Sequence, residues 1–337
     1  MMPLSLLCFK DSWNCALSPA PGNDYPGLSI ASRLISMNIL VTGATGLIGT
    51  ALVPRLSASG HRVLPLRRSA ANNDAGPTWD PGTGRVDLAS AFPLDAVIHL
   101  AGENIAQRWT PAAQARIRSS RVDATRLLSD ALARAPQPPR VLVCASATGY
   151  YGDRGEETLD ERSGPGTGFL AEICQAWEAA ASSAQDRGVR VVHLRFGIVL
   201  ARQGGALGRI LPAFRFGLGG RLGSGQQYWS WIVLDDLLRV VERAIEDDHL
   251  EGAVNAVAPE AVTNAVFTAA LARVLRRPAL LPVPAFVVTA VFGQMGREAL
   301  LASARVRPSR LLAAGFSFRC PDIEAAFGHL LRDTPRA

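Results

Sequence analysis

Residues 37–56, MNILVTGATGLIGTALVPRL, constrain the fold of this chain more than any other stretch. The short apolar run at 38–42 reads as a buried strand. Gly43, Gly46 and Gly49 follow at three-residue intervals and open a helix whose apolar side is Leu47, Ile48, Ala51, Leu52 and Leu56. A glycine turn between strand and helix lets the backbone approach a pyrophosphate. The helix N-terminus supplies unpaired N–H groups and partial positive charge for it. The spacing is G-x-x-G-x-x-G rather than the commoner G-x-G-x-x-G, so the placement between a strand and an amphipathic helix carries the reading. The expected contacts to a bound dinucleotide are Gly43, Thr45, Gly46, Leu47, Ile48 and Gly49.

The strand–helix alternation then repeats. Strands are expected at 62–66, ending in Arg67 and Arg68, at 95–100, at 140–146 and at 190–195, with helices at 111–133 and 169–184. The polar, Gly/Pro-rich stretch 69–85 reads as a loop. Short buried strands alternating with helices predict an α/β protein with a Rossmann-type, doubly wound parallel sheet. Its ligand belongs outside the carboxyl ends of the strands, which adds Leu100, Ala101 and Gly102 to the cofactor contacts. Beyond Gly197 the texture changes. A glycine-dense basic segment at 204–225 precedes a helix at 235–247, a strand at 254–257, and helices at 263–275 and 285–301. The chain thus divides into a nucleotide-binding domain over 37–200 and a small C-terminal α/β substrate or cap region over 201–335. Residues 1–36, rich in Pro, Ser, Gly and Asn without a sustained period, read as a disordered leader and not as a signal or transit peptide.

Composition narrows the partners. The formal charge of +6 comes almost wholly from arginine, since Lys10 is the one lysine, and the arginines are scattered and not interleaved with aromatics. That pattern predicts a solvated surface and no nucleic-acid binding. No stretch is long and apolar enough to predict a membrane span. Cys8, Cys15, Cys144, Cys174 and Cys320 are odd in number and lack C-x-x-C spacing, as expected of free thiols in a reducing cytoplasm. The five histidines are scattered, and no metal site is expected. In this fold an acid about 20 residues past the glycines holds the ribose 2′-OH of NAD, whereas arginine accommodates the 2′-phosphate of NADP. Here the second strand ends in Arg67 and Arg68 with no acid before Asp74, so the expected cofactor is NADP(H).

TGATGLIG, HLAG after the third strand and SATGYYG after the fourth resemble the extended short-chain dehydrogenase/reductase superfamily of nucleotide-sugar epimerases. HLAGENIAQRWTPAAQARIRSSRVDATRLL, GFLAEICQAWEAAA, LRFGIVLARQGGAL and the tail VRPSRLLAAGFSF are similar, more narrowly, to an atypical epimerase-like family with its own C-terminal domain. The resemblance covers 37–331 and implies an NADP(H)-binding Rossmann domain with a small C-terminal cap.

The superfamily's catalytic residues do not carry across. Its Tyr-x-x-x-Lys pair, in which the lysine charge lowers the tyrosine pKa, would fall at Leu170 and Cys174, and no lysine exists after Lys10. An asparagine common in the superfamily is replaced by Arg121. Ser146 matches the superfamily serine if one residue is inserted before Tyr151; otherwise Ala147 falls there. The candidate replacements are Tyr150 or Tyr151 as proton donor, Glu172 on the helix that normally carries the tyrosine, Arg121 as the missing positive charge, and Ser146 to polarise a carbonyl. Each also has a packing or solvated reading. Trp79, Trp109, Trp229 and Trp231 flank the expected cleft as lid packing or as a flat wall for a ring-bearing substrate. Asp235 and Asp236 read as a helix N-cap. Two functions follow: an NADP(H)-dependent, epimerase-like oxidoreductase acting on a small carbonyl or hydroxyl compound, or a catalytically silent NADP(H)-binding regulatory or scaffold protein.

Overall fold

Apolar runs with no polar alternation make strands covered on both faces. In the computed structural model, which describes residues 36–68 and 76–331, such runs build the centre of an eight-stranded sheet. Its strands are β1 (Asn38–Thr42), β2 (Arg62–Arg68), β3 (Thr78–Asp80), β4 (Arg85–Asp87), β5 (Ala96–His99), β6 (Val141–Ala147), β7 (Arg190–Phe196) and β8 (Gly252–Ala256). The order is β8-β7-β6-β5-β1-β2-β3-β4, parallel throughout except for β4. Successive β1 residues serve opposite layers. Ile39 and Val41 join Leu52, Leu56, Leu237 and Val240 in one core, while Leu40 joins Leu128, Leu132 and Ala184 in the other. The chain winds outward through β2 and β3 on one side of β1, and through β5, β6 and β7 on the other. The reversal leaves a crevice at the carboxyl ends of β1 and β5. This is the doubly wound sheet expected from the sequence.

The helices flanking the sheet are α1 (Leu47–Ala58), α2 (Pro111–Ser119), α3 (Val122–Ala133), α4 (Phe169–Ala179) and α5 (Ser182–Asp186). They correct two expectations. The helix expected at 111–133 divides at Ser120–Arg121, where the hydroxyls of Ser119 and Ser120 bond back to the carbonyls of Arg116 (3.3 Å) and Ile117 (3.1 Å) and compete with the helical ladder. The helix expected at 169–184 divides at Ala180–Ala181. A third correction concerns the loop placed at 69–85. Its described part forms the β3–β4 hairpin, in which Trp79 is buried, pairs with Val86 and meets His99 edge-on at 5.8 Å. Trp79 is therefore core and not cleft wall.

C-terminal to β7 lie α6 (Gly205–Arg215), α7 (Leu234–Glu246), α8 (Asn264–Leu275) and α9 (Ala285–Phe292). Helix α6 falls in the glycine-dense segment where none was expected. The helix expected at 285–301 stops at Gly293 (φ 64°) and resumes as a π-turn, Gly296–Leu301. Trp231 and Phe267 pack with Phe327 of the final helix, Ile323–Leu331, in a separate core; the Phe267–Phe327 edge contact at 5.0 Å contributes about 1 kcal/mol beyond its buried area. Asp236 is no N-cap. It is buried in the first turn of α7, where it accepts the N–H groups of Arg319 and Cys320 (3.0 Å each) and fastens the C-terminal segment to that helix. No helix among the described residues is long and apolar enough to cross a membrane. The leader expected over 1–36 lies, Ser36 apart, outside the described residues, as do Asp74 and residues 332–335 of the expected cap region.

Candidate active site

At the end of β1 the backbone turns through Gly43 at φ +68°, and a Cβ there would lie 2.8 Å from the Ala101 nitrogen. A Cβ on Gly49 would lie 2.3 Å from the Gly43 carbonyl oxygen, so strand, turn and helix close on one another only without side chains at these two positions. Gly46 is less constrained: its Cβ would meet the Gly43 oxygen at 3.3 Å, and its φ of −80° is ordinary. It is the N-cap of α1, which has no capping side chain and no acid in its first turn. Thr45 and Gly46 are exposed, and the N–H groups of Leu47 and Ile48 bond to no described residue. Open donors and an uncompensated helix N-terminus fit a pyrophosphate. Arg67 and Arg68 are exposed at the end of β2, one and two residues past Leu66, the register partner of Thr42. No described carboxylate stands on that strand end, which fits a 2′-phosphorylated dinucleotide.

The turn is held from beneath by groups that lie within the quoted motifs but to which sequence reasoning gave no role. Thr42 Oγ1 accepts the N–H groups of Leu100 and Ala101 (3.1 Å each) and lies 2.7 Å from His99 Nδ1. With its lone pairs taken, the hydroxyl donates to Nδ1, which places the imidazole proton on Nε2. That proton goes to Thr125 Oγ1 (2.9 Å), which also accepts Trp177 Nε1 (2.9 Å). Burial pushes the His99 pKa down to about 4, so the ring is neutral. The chain Thr42–His99–Thr125–Trp177 thus runs from the glycine turn, under the sheet's carboxyl edge, to α4.

Arg121 sits at the α2–α3 joint, and its guanidinium lies over the Trp177 ring at 5.0 Å. A Cβ on Gly102 would be 3.3 Å from Arg121 Cζ, so the glycine of HLAG makes room for the cation. Nη1 donates to the carbonyl of Glu103 (2.9 Å) and weakly to that of Ile117 (3.4 Å), while Nε and Nη2 bond to no described residue. Burial lowers its pKa, partly offset by Cys174 and the Glu103 carboxylate. Leu170, at the position of the superfamily tyrosine, packs over Gly149, whose Cβ would come within 3.2 Å of it. Cys174 is buried, and its thiol is pushed up to about 12 by that burial and by Glu178. It stays a protonated packing group.

Three of the expected catalytic residues take other places. Ser146 is buried and donates its hydroxyl to Glu178 Oε1 at 2.7 Å, so that proton is committed within the protein. Glu178 also binds Arg195 through both oxygens (2.8 Å each), in an ion pair that is almost entirely buried. Burial lowers the Arg195 pKa, but the hydrogen bonds and charge of Glu178 hold it above the usual value. Tyr151 is fully buried: its hydroxyl accepts from Arg195 Nη1 (3.0 Å) and lies 2.8 Å from Asn255 Oδ1, and burial pushes its pKa up to about 12. It is a structural phenol. Glu172 is exposed, on a side of α4 away from the buried Cys174 and Trp177. Tyr150 differs from all three. Half-buried, it lies with its ring 3.4 Å from Arg195 Cζ, and its hydroxyl bonds to no described residue. Thr148, half-buried in the turn after β6, also has a hydroxyl with no bond to a described residue.

The C-terminal region closes over this end of the sheet. Helix α4 starts at Gly168 (φ +99°) without a cap of its own; Glu298 supplies one by accepting the Leu170 N–H at 3.0 Å. Gln294 bridges Glu298 (2.7 Å) and Gln114 (2.9 Å), and Met295 packs with Trp109 and Ile173. Trp109 and Trp231 are buried, and Trp229 donates its Nε1 to the Leu300 carbonyl at 3.2 Å, so these tryptophans serve packing and anchoring.

Comparison with known proteins places this geometry. The model of the NAD dependent epimerase/dehydratase family matches residues 39–257, and a domain of unknown function (DUF1731) matches 283–330. An epimerase family protein of Mycobacterium tuberculosis is 44% identical over 292 residues, covering 86% of this chain and 96% of that protein. Human epimerase family protein SDR39U1 is 40% identical over 304 residues, covering 88% and 100%. The crystal structure of its isoform 2 with NADPH matches with a TM-score of 0.80 at 38% identity, over 88% of this chain and all of that one. A nucleoside-diphosphate sugar epimerase from Corynebacterium glutamicum matches at 0.73 with 35% identity, over 88% of this chain and 59% of that one. From its glycine turn through β8, this chain belongs to the NAD-dependent epimerase/dehydratase family.

Proposed function

We propose that this protein is a cytoplasmic NADP(H)-dependent oxidoreductase, acting on a small carbonyl or hydroxyl compound at the carboxyl edge of its sheet. The observation that carries the reading is the β1–α1 cradle, with Gly43 and Gly49 closed against backbone and the α1 N-terminus open. Arg67 and Arg68 favour a 2′-phosphate over a free ribose hydroxyl, and the human relative holding NADPH supports the same choice. The nicotinamide, when bound, supplies or accepts a hydride. Arg121 places fixed positive charge beside Gly102, where a developing oxyanion gains from it. Tyr150 offers an unpartnered phenol for proton transfer and Thr148 a hydroxyl to polarise the substrate oxygen, in place of the committed Ser146 and Tyr151.

Purified protein is expected to oxidise NADPH with members of a carbonyl panel, and to lose that turnover in Tyr150→Phe and Arg121→Met. Tighter binding of NADH than NADPH, or undiminished NADPH binding in Arg67→Ala/Arg68→Ala, would refute the cofactor assignment. A second reading, NADP(H) binding without catalysis, is favoured by Leu170 over Gly149 and by the internal bond of Ser146. NADPH binding with no turnover on any substrate, together with a partner captured only in the presence of NADPH, selects it.

A further inference from the structure

Helix α8 ends in a conformation that glycine normally supplies. Its C-cap, Arg276, adopts φ 53° and ψ 45°, and it is the one non-glycine residue with positive φ among the described residues. The N–H groups of Arg276 and Arg277 close the helix on the carbonyls of Arg273 (3.1 Å) and Ala272 (3.0 Å). That geometry asks for a left-handed residue, and any Cβ there is strained. Nothing in it asks for an arginine, and strain retained against a cheaper alternative points to a use for the side chain.

Arg276 lines a cavity of about 750 Å³ with Arg221, Arg273 and Arg277, over a floor that includes Ala269 and Ala272. No carboxylate lines it, and no residue before Arg221 reaches it, so it is separate from the β1–β5 crevice. Arg273 also pairs with Glu324 of the final helix, whereas the side chains of Arg221, Arg276 and Arg277 make no hydrogen bond or ion pair with described residues. A helix C-terminus carries only about half a negative charge, which one guanidinium meets. Four arginines around one concavity exceed what the helix needs.

We propose that this cavity is a second binding site, for a small molecule bearing a phosphate or diphosphate. Guanidinium forks match phosphate oxygens bidentately. The volume is that of a small-ligand site. The alanine floor lets a ligand lie against the helix, while Pro278 and the largely exposed Leu280 at the rim offer an apolar edge to the rest of the molecule.

The test is calorimetric titration of inorganic pyrophosphate into the full chain, with and without saturating NADPH. With NADPH saturating the β1–α1 cradle, saturable binding of one equivalent is expected, weakened at least tenfold in Arg276→Gly and in Arg277→Ala; without NADPH, binding at the cradle adds to it. Arg276→Gly should at the same time hold or raise the thermal midpoint, because glycine relieves the left-handed cap, which a purely structural role for the arginine would not produce. No saturable binding, binding abolished by NADPH, or binding unchanged in Arg276→Gly/Arg277→Ala overturns the proposal. Binding to phosphatidylglycerol vesicles with none to pyrophosphate also overturns it, in favour of a membrane surface. Because the titration is read without cofactor as well as with it, a failure of NADPH to bind would count against the β1–α1 cradle and not against this cavity.

Discussion

Thr42→Val isolates the hydroxyl that ties the glycine turn to the neighbouring strand. The substitution keeps shape and β-branching and removes one oxygen. Three bonds go with it: those from the Leu100 and Ala101 N–H groups (3.1 Å each) and that to His99 Nδ1 (2.7 Å). Leu100 retains a longer bond to the Thr42 carbonyl at 3.3 Å, so the groups left without a partner are the Ala101 N–H and the His99 nitrogen. Each costs roughly 1–3 kcal/mol when buried, offset by about 0.8 kcal/mol for the added buried methyl. The net loss is about 1–5 kcal/mol, a fall in melting temperature on the order of 2–8 °C for a chain of this length. Thr42→Ser keeps the hydroxyl and loses a methyl, at about 1 kcal/mol. Paired urea and thermal melts give the order wild type, Ser, Val. NADPH affinity should fall more in Val than in Ser, since Leu100 and Ala101 border the cofactor turn. A Val variant as stable as wild type, with Ser the weaker, would refute the reasoning, because shape and not hydrogen bonding would then hold the turn.

Other outcomes follow from neighbouring geometry. Gly49→Ala drives a Cβ to 2.3 Å from the Gly43 oxygen and should cost about 1–3 kcal/mol with loss of NADPH binding; Gly46→Ala, at 3.3 Å, should cost under about 1 kcal/mol, and a reversed order in melts and titrations would contradict the cradle. His99 has a folded-state pKa depressed from 6.5 to about 4, so the unfolded chain binds the extra proton first as pH falls. Stability is full above about pH 6.5 and declines by about 3 kcal/mol on the way to pH 4, with His193, also depressed by burial, adding in the same direction; urea midpoints that stay flat across that window would count against a neutral buried ring. Arg195→Ala strands the Glu178 carboxylate and should destabilise by about 3–5 kcal/mol; a melting temperature close to wild type would show that the pair is not desolvated.

The centre of the sheet was legible because its strands are largely apolar runs and its turn needs glycine for steric reasons visible in spacing alone, whereas the short polar-flanked strands of the β3–β4 hairpin were not. The joints were not. A helical period spans 111–133 without interruption in its apolar positions, and only the backbone-directed hydroxyls of Ser119 and Ser120 end α2, a competition that periodicity does not register. The site's supporting groups were hidden for a related reason. Glu178 and Arg195 look like ordinary charged residues in a helix and a strand, and their mutual burial depends on α4 lying against the ends of β6 and β7. A charged residue set among the apolar residues near a strand's end, as Arg195 is between Leu194 and Phe196, was the available signal. Tyr150 and Tyr151 were indistinguishable as neighbours in sequence; the turn after β6 sends one into the core and leaves the other's hydroxyl open.

The broken helix and the missing lysine belong to one arrangement. With Cys174 at the lysine position, α4 can offer no cation to the cofactor side of the cleft, and burial keeps that thiol protonated. Arg121 sits at the interruption between α2 and α3, with its guanidinium against the Gly102 backbone and over Trp177. Trp177 is itself fixed by Thr125, and through it by His99 and Thr42. In the function proposed above, Arg121 supplies this positive charge, on a support that also shapes the glycine turn. Arg121→Lys should not restore what Arg121→Met loses, because a compact ammonium lacks the planar fork that holds the Glu103 carbonyl through Nη1 while presenting Nε and Nη2 in fixed directions. Parallel NADPH titrations and turnover assays of the two variants decide it, and full recovery in the lysine variant would reduce Arg121 to a simple point charge.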